Sequence, residues 1–305
     1  WSEVWDFCGV VGTKGARVLD HDTMPGANFF PDASLNFAEN LLSRDDDTVA
    51  LYFNNEGVNA APVTWAGLRR DVARFAAVLR GQGIVPGDRV AAFMPNCPEA
   101  LIAMLAAASI GAVFSSCSPD FGVRGVLDRF GQTEPKVLIA CDGYRYAGKV
   151  LPSHDKLAEI IAGLPTLEHV AIVPFIGEGP KGLAKAADWT KLLAAEDGAA
   201  LTFTRLPFAH PLYIMFSSGT TGVPKCIVHS AGGTLLQHVK EHKLHVGLKP
   251  GEVLFYFSTC GWMMWNWLVS GLSVGATLAL YDGSPFHPSG DVLFDYADKV
   301  GINVF

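Results

Sequence analysis

Several patterns are missing from this 305-residue chain, and each absence removes a class of function. The six cysteines (Cys8, Cys97, Cys117, Cys141, Cys226, Cys260) are scattered, with no C-x-x-C pair. That is neither a disulfide framework nor a zinc ribbon, and a reducing cytoplasm is the expected setting. Charge is sparse, at 17% of residues, and the net value of -7 lacks the basic field that a nucleic-acid binder needs. The most apolar run, Ala100 to Phe114, is too short to span a bilayer and contains Ser109 and Gly111. The opening WSEVWDFCGVVG has no basic segment followed by an apolar core, so it does not read as a signal peptide. Cys260 has no nearby histidine in sequence, which argues against a hydrolase built on a cysteine nucleophile. The expectation is a soluble protein working on small molecules, without nucleic acid or a membrane span. A monomer is the working assumption.

What is present is a well-packed α/β pattern, with half the residues hydrophobic. The first sixty residues show no clear period and are taken as an N-terminal extension packing on the core. From Thr64 the order becomes regular. A helix over Trp65–Arg80, capped by Thr64 and stopped by Gly81, precedes the strand DRVAAF. Pro98 opens a second helix that Gly111 ends, and a strand follows over Ala112–Ser115. Ser118 caps a helix expected from Pro119, followed by the strand KVLIAC, a helix over Lys156–Gly163 and the strand HVAIVPF. This alternation predicts right-handed βαβ units and mainly parallel sheets. Residues 61–205 read as a first α/β subdomain ending in a linker, Gly177 to Arg205. Residues 206–305 read as a second, from LYIMF through CIVH, EVLFYF and ATLALY to INVF.

The chemistry gathers in FSSGTTGVPK, residues 216 to 225. Gly219 and Gly222 permit backbone angles that aim successive N–H groups into one concavity. Ser217, Ser218, Thr220 and Thr221 add hydroxyls, and Lys225 adds a mobile charge. This is no Walker loop: Val-Pro separates Gly222 from Lys225, and the lysine leads into a strand rather than a helix. A Ser/Gly-rich turn without a ligand is the plain alternative. The order S-S-G-T-T-G-x-P-K resembles the phosphate loop of the adenylate-forming enzymes. Those include the acyl-CoA synthetases, the luciferases and the peptide-synthetase adenylation domains. NFAENLL, the stretch from TWAGLRR to CPEALIAML, and IGAVFSSCSPDFGVRGVLDRF are similar to the acetate-activating branch. FSSCSPDFG together with CGWMMWNWLVSGL and YDGSP resembles the acetoacetate-activating branch more specifically.

The resemblance implies stacked βαβ subdomains forming the large N-terminal domain of that fold, incomplete at its C-terminal end. It implies attack of a carboxylate, acetoacetate first and acetate or another short acid as the alternative, on the α-phosphate of ATP. Coenzyme A thiol then displaces AMP from the acyl-adenylate. Ser217, Ser218, Gly219, Thr220, Thr221, Gly222 and Lys225 would hold the β- and γ-phosphates, with Mg²⁺ on the triphosphate and no protein metal ligand assigned. Lys225, Thr220 and Thr221 would be the catalytic members, a threonine also assisting the metal. Trp262, Met263 and Met264 would wall the acyl pocket, where small polar residues stand in the acetate branch, and Asn266 would bond a keto oxygen. An aromatic core helix is the competing reading of that segment. Arg129 matches an arginine near the coenzyme A phosphates, although it and Arg124 also read as solvated helix charges.

HVKEH, from His238 to His242, fits H-x-x-E-H, an inverted zinc-peptidase pattern whose third ligand could come from His210, His229 or His245. Lys240, Glu241 and Lys243 interleave with the histidines, and a solvated polar face is the expected reading. A non-catalytic nucleotide-binding module is the remaining class. The family's Tyr-x-Thr-Gly-Asp ribose motif, hinge and lysine-bearing C-terminal domain do not occur in these residues. GINVF reads as a strand with no turn signal after it. The expectation is therefore a piece of a longer protein, unable alone to complete the reaction.

Overall fold

The computed structural model describes residues 1–56, 58–217 and 222–305, with the backbone only at 58 and 59. Its main elements in chain order begin with β1 (Val49–Asn55), α1 (Trp65–Gly81), β2 (Arg89–Phe93), α2 (Pro98–Ile110) and β3 (Val113–Cys117). Then come α3 (Val123–Thr133), β4 (Val137–Cys141), α4 (His154–Gly163), β5 (His169–Val173), β6 (Ala186–Asp188) and α5 (Trp189–Ala195). The remainder is β7 (Pro211–Phe216), β8 (Cys226–Ser230), α6 (Ala231–Lys240), β9 (Val253–Phe255), α7 (Met263–Ser270), β10 (Thr277–Asp282), α8 (Val292–Val300) and β11 (Ile302–Val304).

A seven-stranded sheet runs β6-β5-β4-β2-β3-β7-β8, parallel throughout except for the antiparallel edge pair β7–β8. A second sheet runs β11-β9-β10-β1, also parallel, with the short strands 58–59 and 63–64 antiparallel to β1. The alternation of side chains along each strand fixes the layers. On β2, Val90 and Ala92 enter one core while Ala91 and Phe93 enter another; on β10, Leu278 and Leu280 part in the same way from Ala279 and Tyr281. The core shared by both sheets also holds α1, α2, α6 and α7. The outer cores are closed by α3 and α4 on one side and α8 on the other. The result is five layers, αβαβα.

Local chemistry explains the elements. Thr64 caps α1 as expected, its Oγ1 accepting from Gly67 N–H at 3.1 Å. Pro98 is the first residue of α2, and Gly111 ends it at φ +81°. Every residue of α2 except Glu99 is buried, so the longest apolar run is a core helix. Among the described residues no helix is long and apolar enough to cross a membrane.

Four sequence expectations shift. The 118–122 segment is a turn, Phe121 N–H donating to Ser118 O, and α3 starts at Val123, four residues late. The stretch from Gly177 to Arg205 is not a bare linker: β6 extends the large sheet, and Asp188 caps α5, whose Trp189 lies 4.3 Å from Phe75 between ring centroids. The first sixty residues supply β1, an interior strand of the second sheet. Conversely β7 and β8, placed in sequence beyond residue 205, belong to the large sheet. NFAEN is a polar staple: Asn36 Oδ1 caps Phe37–Leu41, while its Nδ2 donates to the carbonyls of Ala108, Ser109 and Thr204.

Candidate functional site

The glycine loop joins β7 to β8, with Phe216 opposite Cys226 in the antiparallel register. Ser218, Gly219, Thr220 and Thr221 lie outside the described residues; Ser217, Gly222 and Lys225 are within them. Two bonds close the base: Ser217 N–H donates to Lys225 O, and Lys225 N–H donates to Ser217 Oγ, both at 3.0 Å. From α3, Gln132 Nε2 donates to Pro224 O at 2.8 Å. Gly222 stands at φ +140° with nothing within 4 Å of where a Cβ would sit, so its backbone angle rather than crowding calls for glycine. The Lys225 side chain is exposed and forms no ion pair with a described residue.

Beside the same strand opens a cavity of about 660 Å³, lined by β8 from Val228 to Ser230, by α6, by the turn that follows it, and by Met263, Met264 and Trp267. Lys225 and Val228 are three residues apart, about 10 Å along an extended chain. The other two residues expected in an acyl pocket stand elsewhere. Trp262 is the N-cap of α7 and is 64% exposed. Asn266 is buried, its Nδ2 donating to Met215 Sδ at 3.7 Å, and faces a separate narrow crevice with Phe114, Ser115 and Gly261.

The HVKEH segment is not a solvated face. α6 passes into a π-helical turn over Glu241–Val246, and both His238 and His242 are buried. The reason is the tryptophan-rich α7 packed against them: the His242 ring lies 4.4 Å from Trp267, and its Nε2–H donates to Trp267 O and Ser270 Oγ at 3.0 Å. Glu241 is satisfied at both oxygens, Oε1 by Gln237 Nε2 at 2.6 Å and Oε2 by Trp267 Nε1 at 2.9 Å. Neither is left for a zinc ion, and His210 is bound elsewhere, to Gly111 O. Among the described residues no group of three or more His, Cys, Asp or Glu side chains is arranged to hold a metal. Burial, reinforced by His242 and His229, lowers the His238 pKa to about 3, and burial lowers His242 to about 4. Both rings are therefore neutral at physiological pH.

Beyond the carboxyl ends of β2 and β10, one strand from each sheet, Asn96 forms a buried hub. Its N–H donates to Asp282 Oδ1 at 2.9 Å, its Nδ2 to Ser258 O and Tyr281 O at 3.2 Å, and its Oδ1 accepts from Trp265 Nε1 at 2.9 Å. Asp282 is raised to about 7 by burial, opposed by the Asn96 bond and assisted by the charges of Asp120 and Glu56. The Cys260 thiol donates to Pro95 O at 3.2 Å, and burial holds its pKa far above the ordinary range; it is no nucleophile.

The AMP-binding enzyme family model matches residues 37–305. The chain belongs to the AMP-binding enzyme family. Acetoacetyl-coenzyme A synthetase of Rhizobium meliloti (strain 1021) is 56% identical over 314 residues, covering 100% of this chain and 47% of that protein. Malonamoyl-CoA synthetase of Penicillium aethiopicum is 43% identical over 304 residues, covering 94% of this chain and 42% of that one. The structure of acetoacetyl-CoA synthetase from Streptomyces lividans superposes with a TM-score of 0.94 at 47% identity, over 99% of this chain and 47% of that structure. The chain spans about half the length of the relatives it matches.

The described part of the loop suits the anionic phosphates of a nucleotide such as this family binds. It offers an exposed ammonium without a carboxylate partner among the described residues and a glycine at an angle that side chains avoid. Arg129 does not read as a solvated charge. Its guanidinium packs 4.6 Å from the Phe121 ring and 6.0 Å from Phe216, the residue just before the loop, and donates to Gly125 O at 2.8 Å. Arg124, 94% exposed beside Asp128, is the solvated one. Sequence reasoning missed His229, Gln237 and Trp267 of the cavity and the Asn96–Asp282 hub. A signal for the cavity existed: Ser230, Thr234, Gln237, His238, Glu241 and His245 form a polar stripe at helical spacing.

Proposed function

We propose that this chain carries the phosphate-clamping and acyl-binding half of an acetoacetate–CoA ligase. The carboxylate attacks the α-phosphorus of ATP and pyrophosphate leaves. The coenzyme A thiol then attacks the acyl carbon, the bond to AMP breaks, and the thioester forms. The observation that carries the reading is that the loop and the cavity share β8. An acid seated against Met263 and Met264 lies one short stretch of strand from the loop's cation. On this reading Ser217, Ser218, Gly219, Thr220, Thr221, Gly222 and Lys225 hold the triphosphate. Lys225, Thr220 and Thr221 neutralise the charge that develops on pyrophosphate. Mg²⁺ enters with the nucleotide as part of the substrate, supplying further charge neutralisation. Arg129 lies on the coenzyme A side, while Trp262, exposed, and Asn266, facing the separate crevice, are left without a role at the acyl site.

Acetoacetate and malonamate, the acids implied by the relatives' names, both carry a carbonyl oxygen β to the carboxylate. That shared group supports a β-carbonyl acid over plain acetate. Six unpaired cysteines suit a reducing compartment, and the reading takes the enzyme to be cytoplasmic. The test is acid-dependent pyrophosphate release by the whole protein containing this chain. Acetoacetate should far outrun acetate. Equal rates would remove the acyl assignment, and no acid dependence would remove the ligase reading.

A further inference from the structure

We propose that His238 recognises the carbonyl oxygen β to the carboxylate and so makes the cavity select 3-oxo acids over saturated acids of the same length. The inference rests on the cavity being the acyl site and adds the group that reads the substrate's distinguishing atom.

His238 lines the same cavity as the methionines of α7. Its ring is largely buried (residue exposure 7%); Nδ1 is sealed from solvent and so does not reach the cavity, which leaves Nε2, without a hydrogen bond to any described residue, as the ring nitrogen that can meet a ligand there. An unpaired N–H in this wall is costly, so an apolar residue would be the more stable choice at this site unless something pairs with Nε2. Its neighbours do not. Glu241, one helical turn on, has both oxygens taken by Gln237 and Trp267, and Trp267 N–H is spent in that contact. Met263 and Met264 offer no N–H or O–H donor.

A ketone or amide carbonyl oxygen only accepts hydrogen bonds. A neutral imidazole always carries one N–H, so it can donate to such an oxygen, whereas the Glu241 carboxylate would repel it. Burial keeps the ring neutral across the physiological range, which also avoids placing a cation where it would trap the carboxylate in the wrong orientation. A saturated acid leaves the ring unpaired, and a site built to pair with an oxygen rejects the analogue that lacks it.

The test compares kcat/KM for acetoacetate and for butyrate, which has the same carbon skeleton without the ketone, in the whole protein. His238→Leu should lower acetoacetate turnover by about 10- to 100-fold while butyrate is unchanged or improved. His238→Phe, which keeps a flat ring, carries the test if the leucine variant does not fold. His238→Asn, which retains an N–H donor, should restore much of the preference. Calorimetric titration of the two acids should show the same selective loss in binding. Equal losses for both acids, or an unchanged preference in Leu and Phe variants, would overturn the role of His238. Wild-type protein that ignores acetoacetate would overturn the functional reading beneath it instead.

Discussion

At one end of β8 the chain is open to solvent and tied down by two hydrogen bonds across the loop base and one from Gln132. At the other end the same strand runs into a cavity whose walls are two packed helices, with Trp265, Leu268 and Val269 wholly buried. The loop's chemistry is carried by consecutive residues, and none of its described members Ser217, Gly222 and Lys225 is buried. The cavity's chemistry is carried by side chains nearly forty residues apart, from His229 to Trp267, and exists only when α6 and α7 pack. Substitution should therefore separate activity from stability at the loop and couple them near the cavity.

The largest effect belongs to Lys225→Ala. If the exposed ammonium neutralises charge in the transition state, its loss should lower acid-dependent pyrophosphate release by about 100- to 1000-fold. The melting temperature should stay unchanged, because Lys225 forms no ion pair among the described residues. A loss of stability comparable with the loss of rate would break the contrast between the two ends of the strand.

Asn96→Ala should behave in the opposite way. It removes three side-chain hydrogen bonds and leaves Trp265 N–H buried without a partner. The expected cost is about 3 kcal/mol, read from denaturant unfolding. Activity should fall only as α7 loosens and the cavity with it. Trp262→Ala, at the exposed cap of the same helix, should cost under about 1 kcal/mol.

The contrast also accounts for what could be read beforehand. The parallel α/β pattern, most strands, the Thr64 and Pro98 helix starts and the loop-to-strand setting of Lys225 were legible, because each depends on neighbours within a few residues. β1 was not, because its place inside the second sheet is set by pairing with β10, more than two hundred residues away. HVKEH was misread as solvated, because burial of His242 depends on Trp267 and Ser270. Of the four expected acyl-pocket residues, Met263 and Met264 line the cavity while Trp262 and Asn266 do not, a division set by the orientation of α7 rather than by motif.

Asp282 links the hub to pH. Its folded pKa, about 7, lies above the ordinary 3.8 because burial disfavours the charged carboxylate. The folded state therefore holds a proton that the unfolded state has released between those values. Stability contributed by this group is fully present below about pH 4 and is lost as pH rises to about 7, at up to about 1.4 kcal/mol per pH unit. Asp282→Asn should flatten that slope in unfolding titrations while keeping an acceptor for Asn96 N–H. A slope unchanged by the substitution would assign the pH dependence to another group.

The smallest expected effect separates two arginines on one helix. Arg129 is packed on Phe121 and Phe216, whereas Arg124 stands in solvent beside Asp128. A guanidinium held against two rings is oriented before any ligand arrives, so it loses less freedom on meeting a phosphate. Arg129→Ala should raise the KM for coenzyme A about three- to fivefold and leave the pyrophosphate-releasing half-reaction unchanged, while Arg124→Ala should alter neither by more than about twofold. Arg129→Ala should also cost about 0.5–1 kcal/mol of stability through the lost ring contacts. The kinetic split decides the assignment. If Arg129→Ala lowers stability by that amount and leaves the coenzyme A KM untouched, Arg129 is a packing residue that braces the strand leading into the loop, and the coenzyme A phosphates must be met by another part of the protein.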